Sequence, residues 1–127
     1  IIAGCAMANE RQDLLTRSKS LALRIIRLYV TLPKTSEAQV IGKQVLRSGT
    51  SVGAHLREAK RSRSDAEMIS KTEGALQELE ETLYWLELLA DAGIVKPEAL
   101  ADLMKEADEL TAILVAGVKT LKNRPKG

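Results

Sequence analysis

Four cations crowd one short stretch of the chain, Arg57, Lys60, Arg61 and Arg63, with Glu58 the single acid among them. Lys and Arg in such a cluster bind phosphates and other anions through charge-assisted hydrogen bonds. These four are therefore the candidate nucleic-acid-binding residues. Just before them Ser48, Gly49, Ser51, Gly53 and Ala54 form a run of small side chains. Glycine costs about 1 kcal/mol relative to alanine inside a helix, so two glycines there point to close helix packing.

Other chemistries lack their parts. A metal site in a helical bundle needs carboxylates joined by Glu-x-x-His pairs. Glu78 and Glu81 have the helical spacing, but the single histidine is His55 and no acid stands three residues before it. The two glutamates read as exposed acids forming surface contacts. Cys5 lies near the chain start, and one histidine cannot supply both a base and a separate acid. His55 reads as a packed or interfacial polar residue. The glycines form neither a Walker-type loop nor a dinucleotide fingerprint. The expectation is a protein that is not an enzyme, with no catalytic residues, metal or cofactor.

Nucleic acid remains, read by charge and shape. Strand-binding proteins add aromatic stacking platforms. Tyr29, Tyr84 and Trp85 are the only aromatics, and all three fall within helical patterns. Trp85 reads as a core or interface residue.

The elements that must position these groups are helices. The 127 residues suit one domain, and 45% hydrophobic with 28% charged residues is ordinary for a globular one. Phe is absent, and Leu, Ala, Glu, Lys and Arg dominate, which favours an all-α fold over sheet. The net charge is only +2, but its distribution is uneven. Acids gather between Glu73 and Asp91, whereas Lys119, Lys122, Arg124 and Lys126 follow Glu109 with no further acid.

A single cysteine gives no internal disulfide and fits a reducing cytoplasm. No apolar run approaches the roughly 20 residues that span a bilayer, so no membrane partner is expected. Ile2-Ala-Gly-Cys5 resembles the end of a lipoprotein signal without its basic and apolar regions. Residues 1–6 read as upstream or expression-derived sequence before a start at Met7, and 1–9 as a disordered lead-in.

Four helices are expected near 10–31, 37–61, 65–91 and 97–122, in one domain with a frayed tail at 123–127. Leu14, Leu21, Ile25, Leu28 and Leu32 mark the first stripe, and Leu32-Pro33 ends it. Thr35 or Ser36 caps the second helix, whose apolar line runs Ile41, Val45, Val52, Leu56. Ser64-Asp-Ala-Glu67 is a capping box for the third. Leu76, Leu79, Leu83 and Leu86 are its expected core, and Gly93 its C′ residue. Pro97 opens the fourth. Short connections favour an antiparallel up-down-up-down four-helix bundle.

Leu46-Arg-Ser-Gly-Thr-Ser-Val-Gly-Ala54, Arg57-Glu-Ala59, Ser62-Arg-Ser-Asp-Ala-Glu67, Ala75-Leu-Gln-Glu-Leu-Glu-Glu-Thr82 and Tyr84-Trp-Leu86 carry a resemblance. With Leu32-Pro-Lys-Thr35 they resemble the bacterial four-helix-bundle family encoded in intervening sequences of 23S rRNA genes, labelled S23 ribosomal proteins. The accessory protein of diversity-generating retroelements is a relative. The resemblance covers roughly residues 14–121. It departs at His55, where the family often has Asn, and at Ala59, where it often has Gly. It implies a ring-like homopentamer with a basic surface. In the retroelement relatives that barrel binds nucleic acid and the reverse transcriptase.

Together these point to a cytoplasmic, oligomeric protein binding RNA or RNA–DNA hybrid with weak sequence preference through Arg57, Lys60, Arg61 and Arg63. The alternative is a scaffolding bundle that binds a protein partner such as a reverse transcriptase. Gly49 and Gly53 are expected to admit a neighbouring subunit. The basic tail is expected beside the first connection, away from the 57–63 cluster.

Overall fold

The computed structural model describes the backbone of residues 2–125 and the side chains of residues 13–125. Four helices follow one another: α1 (Ile2–Thr31), α2 (Ser36–Lys60), α3 (Asp65–Asp91) and α4 (Pro97–Lys122). They form an all-α, antiparallel up-down-up-down bundle in which each helix packs on the next. α2 and α3 share the most extensive interface, while α4 meets α1 only sparsely. α1 begins at Ile2, ahead of the start expected near residue 10. The side chains of residues 1–12, Cys5 and Met7 among them, lie outside the described residues.

The helix ends follow from local chemistry. Thr35 is the extended N-cap of α2, although its side chain makes no capping bond. At α3 the Glu67 N–H donates to Ser64 Oγ at 3.1 Å. The reciprocal half of the box shifts by one residue, since the Arg63 N–H, not that of Ser64, donates to Glu67 Oε2 at 3.4 Å. α3 stops in a Schellman arrangement. Gly93 has φ +71°, its N–H donates to the Ala90 carbonyl, and the Ile94 N–H donates to that of Leu89. Pro97 sits in the first turn of α4, where no N–H is needed.

The core corrects the expected register of α3. Leu79 and Leu86 are fully buried, but Leu76 and Leu83 are half-buried and pack against the rim of the core. The buried stripe runs Thr72, Ala75, Leu79, Thr82, Leu86, Leu89. α3 packs more closely on α2 than on α4, so its buried stripe turns towards α2. Small residues permit that approach: Thr82 Oγ1 donates to Ser48 Oγ at 2.8 Å inside the core.

The glycines of α2 serve the same purpose, and this too corrects an expectation. A Cβ on Gly49 would overlap Ile25 Cδ1 and lie 3.2 Å from its Cγ2. One on Gly53 would lie 3.3 Å from Ser18 Oγ. Both glycines therefore face α1 of the same chain, and with Ser48 they are used within the bundle, while Ala54 is exposed. Gly49→Ala is expected to destabilise by about 1–3 kcal/mol through overpacking, despite the helix-propensity gain of about 1 kcal/mol. Gly117, by contrast, faces open space with nothing within 4 Å. Gly117→Ala should keep the propensity gain, so urea unfolding of the two variants should shift in opposite directions.

One ion-pair group ties α4 back to α1. Arg17 donates to Glu106 through Nε at 3.0 Å and Nη2 at 2.6 Å, and to Glu109 at 3.0 Å. The Arg17 hydrogen bonds hold the Glu106 carboxyl below the usual carboxylate range. A carboxyl depressed on folding adds stability above its unfolded value and loses it as pH falls through its folded value. The melting temperature lost by Glu106→Gln should therefore be largest near neutral pH and vanish in acid.

Candidate nucleic-acid interface

The second connection turns the chain at one end of the bundle, and the candidate cations are built around it. Arg57 and Lys60 occupy the last turn of α2, Arg61 is its C-cap, and Arg63 stands on the turn before Ser64. All four side chains are exposed. None makes an ion pair among the described residues.

Three of them are brought together in a concave trough of about 730 Å³ between α1 and α2. One wall carries Arg57, Glu58, Lys60 and Arg61, and the other Leu15, Thr16 and Lys19. Arg63 lies outside the trough. Lys19 is the residue that sequence reasoning missed. It lies far from the cluster in the chain, and only the register between the two helices shows that it faces Arg57, Lys60 and Arg61.

Glu58 does not cancel this charge. Its Oε2 is 2.7 Å from Lys71 Nζ, which reaches across from α3. That hydrogen bond, with the charge of Lys71 behind it, holds the Glu58 carboxyl below its ordinary range and raises the Lys71 amine. The one acid among the trough's described residues is thus kept ionised and balanced from α3.

The tail is found at the same end of the bundle, not beside the first connection. In an up-down order of four helices the end of α4 must return to the end where α2 finishes. Lys122 Nζ lies 3.3 Å from Glu73 and Arg124 Nη1 3.1 Å from Asp65, both acids of α3. Those two cations are engaged, whereas Lys119 has no such partner among the described residues. Of the tail expected to fray at 123–127, Asn123 caps α4 by donating to the Lys119 carbonyl, and Arg124 is held by Asp65. Lys126 lies outside the described residues.

An apolar cleft of about 400 Å³ adjoins the trough and shares Leu15 and Lys60 with it. It opens where α1 and α4 diverge, with Leu56 and Met68 lining it from α2 and α3 and Ile113 and Gly117 from α4.

The other singled-out residues sit away from the trough. His55 packs on Gly74 of α3, a Cβ there lying 3.0 Å from the imidazole. Its Nδ1 is buried without a hydrogen-bond partner among the described residues. Trp85 is half-buried with Nε1 likewise unpartnered, and meets Tyr84 edge-on at 5.0 Å. Glu78 and Glu81 both pair with Arg47 of α2. Among the described residues no group of three or more His, Cys, Asp or Glu is placed to hold a metal. No helix there is long and apolar enough to cross a membrane.

Comparison with known proteins places this geometry. No curated protein sequence matches the chain. A crystal structure described as a protein with unknown function from the S23 ribosomal protein family from Bacteroides thetaiotaomicron is 37% identical. It superposes with a TM-score of 0.81, covering 86% of this chain and 97% of that one. The family model for the 23S rRNA-intervening sequence protein matches residues 10–116, a span that includes all of α2 and α3, most of α1 and α4, the small-residue face of α2 and the basic turn. By fold, motif order and sequence, the chain belongs to the 23S rRNA-intervening sequence protein family.

Proposed function

We propose that this protein is a non-enzymatic, self-assembling, cytoplasmic nucleic-acid-binding bundle that takes RNA or RNA–DNA hybrid by charge and shape. The observation that carries the reading is the trough, where Lys19, Arg57, Lys60 and Arg61 converge without ion-pair partners among the described residues and Glu58 is balanced by Lys71. Unpaired cations in a concavity are available to phosphates, and their binding releases counterions. Arg63 extends the same positive surface onto the turn.

Assembly supports the reading in two ways. α1 leaves Leu23, Ile26 and Val30 exposed at 42%, 42% and 66%, an i, i+3, i+7 stripe that gains by burial. Repeating a modest basic trough around a ring converts weak contacts into avidity. The ring-like homopentamer implied by the family resemblance is the assembly we propose. A second reading, a scaffold for a protein partner such as a reverse transcriptase, is favoured by the apolar cleft beside the trough. That cleft is lined from all four helices and left open at Gly117.

Light scattering coupled to an anisotropy titration with structured RNA and with RNA–DNA hybrid tests the first reading. The expected result is a mass well above that of one chain and binding to both probes that weakens steeply as salt rises. A monomer at micromolar concentration would contradict the assembly, and the absence of binding to either probe at low salt would contradict the function.

A further inference from the structure

We infer that the cleft between α1 and α4 is a binding site for a single-chain amphipathic anion, a fatty-acid carboxylate, with its hydrocarbon chain in the cleft and its charged end at Lys60. Such a site lies beyond the nucleic-acid reading and does not depend on RNA binding.

The bundle leaves this seam open. α1 and α4 meet only sparsely, whereas α2 packs closely on both its neighbours. The cleft of about 400 Å³ that results falls within the roughly 300–1,000 Å³ of small-ligand sites. Leu56 and Leu114 are its buried floor, Leu14 and Leu15 are half-buried, and Ile113 is 38% exposed at the rim. Gly117 keeps it wide, since a Cβ there would meet nothing within 4 Å. Hydrocarbon in that space removes apolar surface of both ligand and protein from water.

The polar groups of the lining decide what kind of ligand fits. Thr72 Oγ1 donates to the Met68 carbonyl at 2.7 Å and Thr120 Oγ1 to the Ala116 carbonyl at 3.1 Å, so both hydroxyl protons are engaged within their own helices. Among the described residues no acid and no aromatic ring lines the cleft. A polar ligand would leave its own groups unpaired against these walls, whereas a methylene chain has none to satisfy. Lys60 is the exception. It is exposed, makes no ion pair among the described residues, and lines both the cleft and the trough. Beyond it stand Lys19, Arg57 and Arg61, so the cleft opens onto positive charge. An apolar body with one anionic end matches that order, and a neutral chain would leave Lys60 unused.

The test uses the full chain and calorimetric titration with butyrate, octanoate, decanoate and laurate, each below its micelle concentration, and with dodecanol. Butyrate should not bind, and affinity should rise with chain length by up to about fourfold for each methylene buried. Dodecanol should bind roughly two- to fivefold more weakly than laurate, and Lys60→Gln should bring laurate down to the level of dodecanol. Gly117→Leu, which fills the cleft from α4, should weaken laurate and dodecanol by about tenfold or more while circular dichroism shows the parent's helix content. The chain-length series needs no variant and decides the matter even if Gly117→Leu fails to fold. Affinity independent of chain length, laurate binding unchanged in Lys60→Gln, or laurate binding unchanged in folded Gly117→Leu would each overturn the inference. Preference for phosphatidylglycerol vesicles over dissolved laurate would assign the surface to a membrane and overturn it too. If the parent binds no chain at all, the cleft is covered in the assembled protein by a second copy or a partner, and the inference falls. RNA binding, titrated separately, decides the nucleic-acid reading whichever way these results go.

Discussion

Truncating Leu79 to alanine is expected to destabilise the bundle by about 2–5 kcal/mol, the range for deleting a large buried aliphatic side chain. Leu79 is fully buried at the centre of α3, and Thr82, three residues on, touches Ser48 of α2. The cavity would therefore open next to the α2–α3 interface, the most extensive in the molecule. Removing the side chain forfeits its transfer free energy, and the surrounding helices cannot close the space without breaking that contact. Leu83→Ala, one turn away on the rim of the core, should cost less, below about 2 kcal/mol, because water already reaches part of the side chain. Urea unfolding of both variants, compared at equal slope, measures the difference. Equal losses would mean that α3 is rotated from the register described, with Leu83 as deep as Leu79.

That pair of leucines shows what the sequence could reveal and what it could not. The 3-4 spacing of apolar residues in α3 is read correctly as a helix, and its limits are marked by Ser64, Glu67 and Gly93. Thr35, Pro33 and Pro97 mark the other boundaries as plainly, because caps and prolines act through the backbone of a few adjacent residues. Which edge of a wide stripe is deepest depends on how closely each neighbouring helix approaches. Here Thr72, Ala75 and Thr82 are buried while Leu76 and Leu83 are not. Hydrophobicity alone ranks them the other way.

The small residues of α2 show the same limit. Gly49 and Gly53 announce a close approach, but only the structure shows that the approaching partners are Ile25 and Ser18 of α1. The candidate site was half legible. Arg57, Lys60, Arg61 and Arg63 are contiguous and stand out as a cluster. Lys19 belongs to the same trough through helix register, which no local pattern encodes. The place of the tail was legible in principle, since the fourth helix of an alternating bundle ends where the second does. The acids that neutralise it, Asp65 and Glu73, are adjacent only in space.

Replacing Arg57, Lys60, Arg61 and Arg63 together by alanine is the second large effect expected. All four are exposed and lack ion-pair partners among the described residues, so their loss should leave helix content and assembly unchanged. Each phosphate contact contributes about 0.7–0.9 to the slope of log affinity against log salt. Four lost contacts should flatten that slope by about 3 and lower affinity at low salt by on the order of a hundredfold, alike for every sequence. The repulsion left behind adds to the loss, since Glu58 remains in the trough.

The salt dependence of RNA binding by this quadruple variant, measured beside the parent with circular dichroism and light scattering on the same samples, tests the central claim most directly. The account predicts a folded, assembled variant with weak binding and a shallow slope. A folded, assembled variant that binds RNA with the parent's affinity and slope would show that the basic end of the bundle is only a solvated surface.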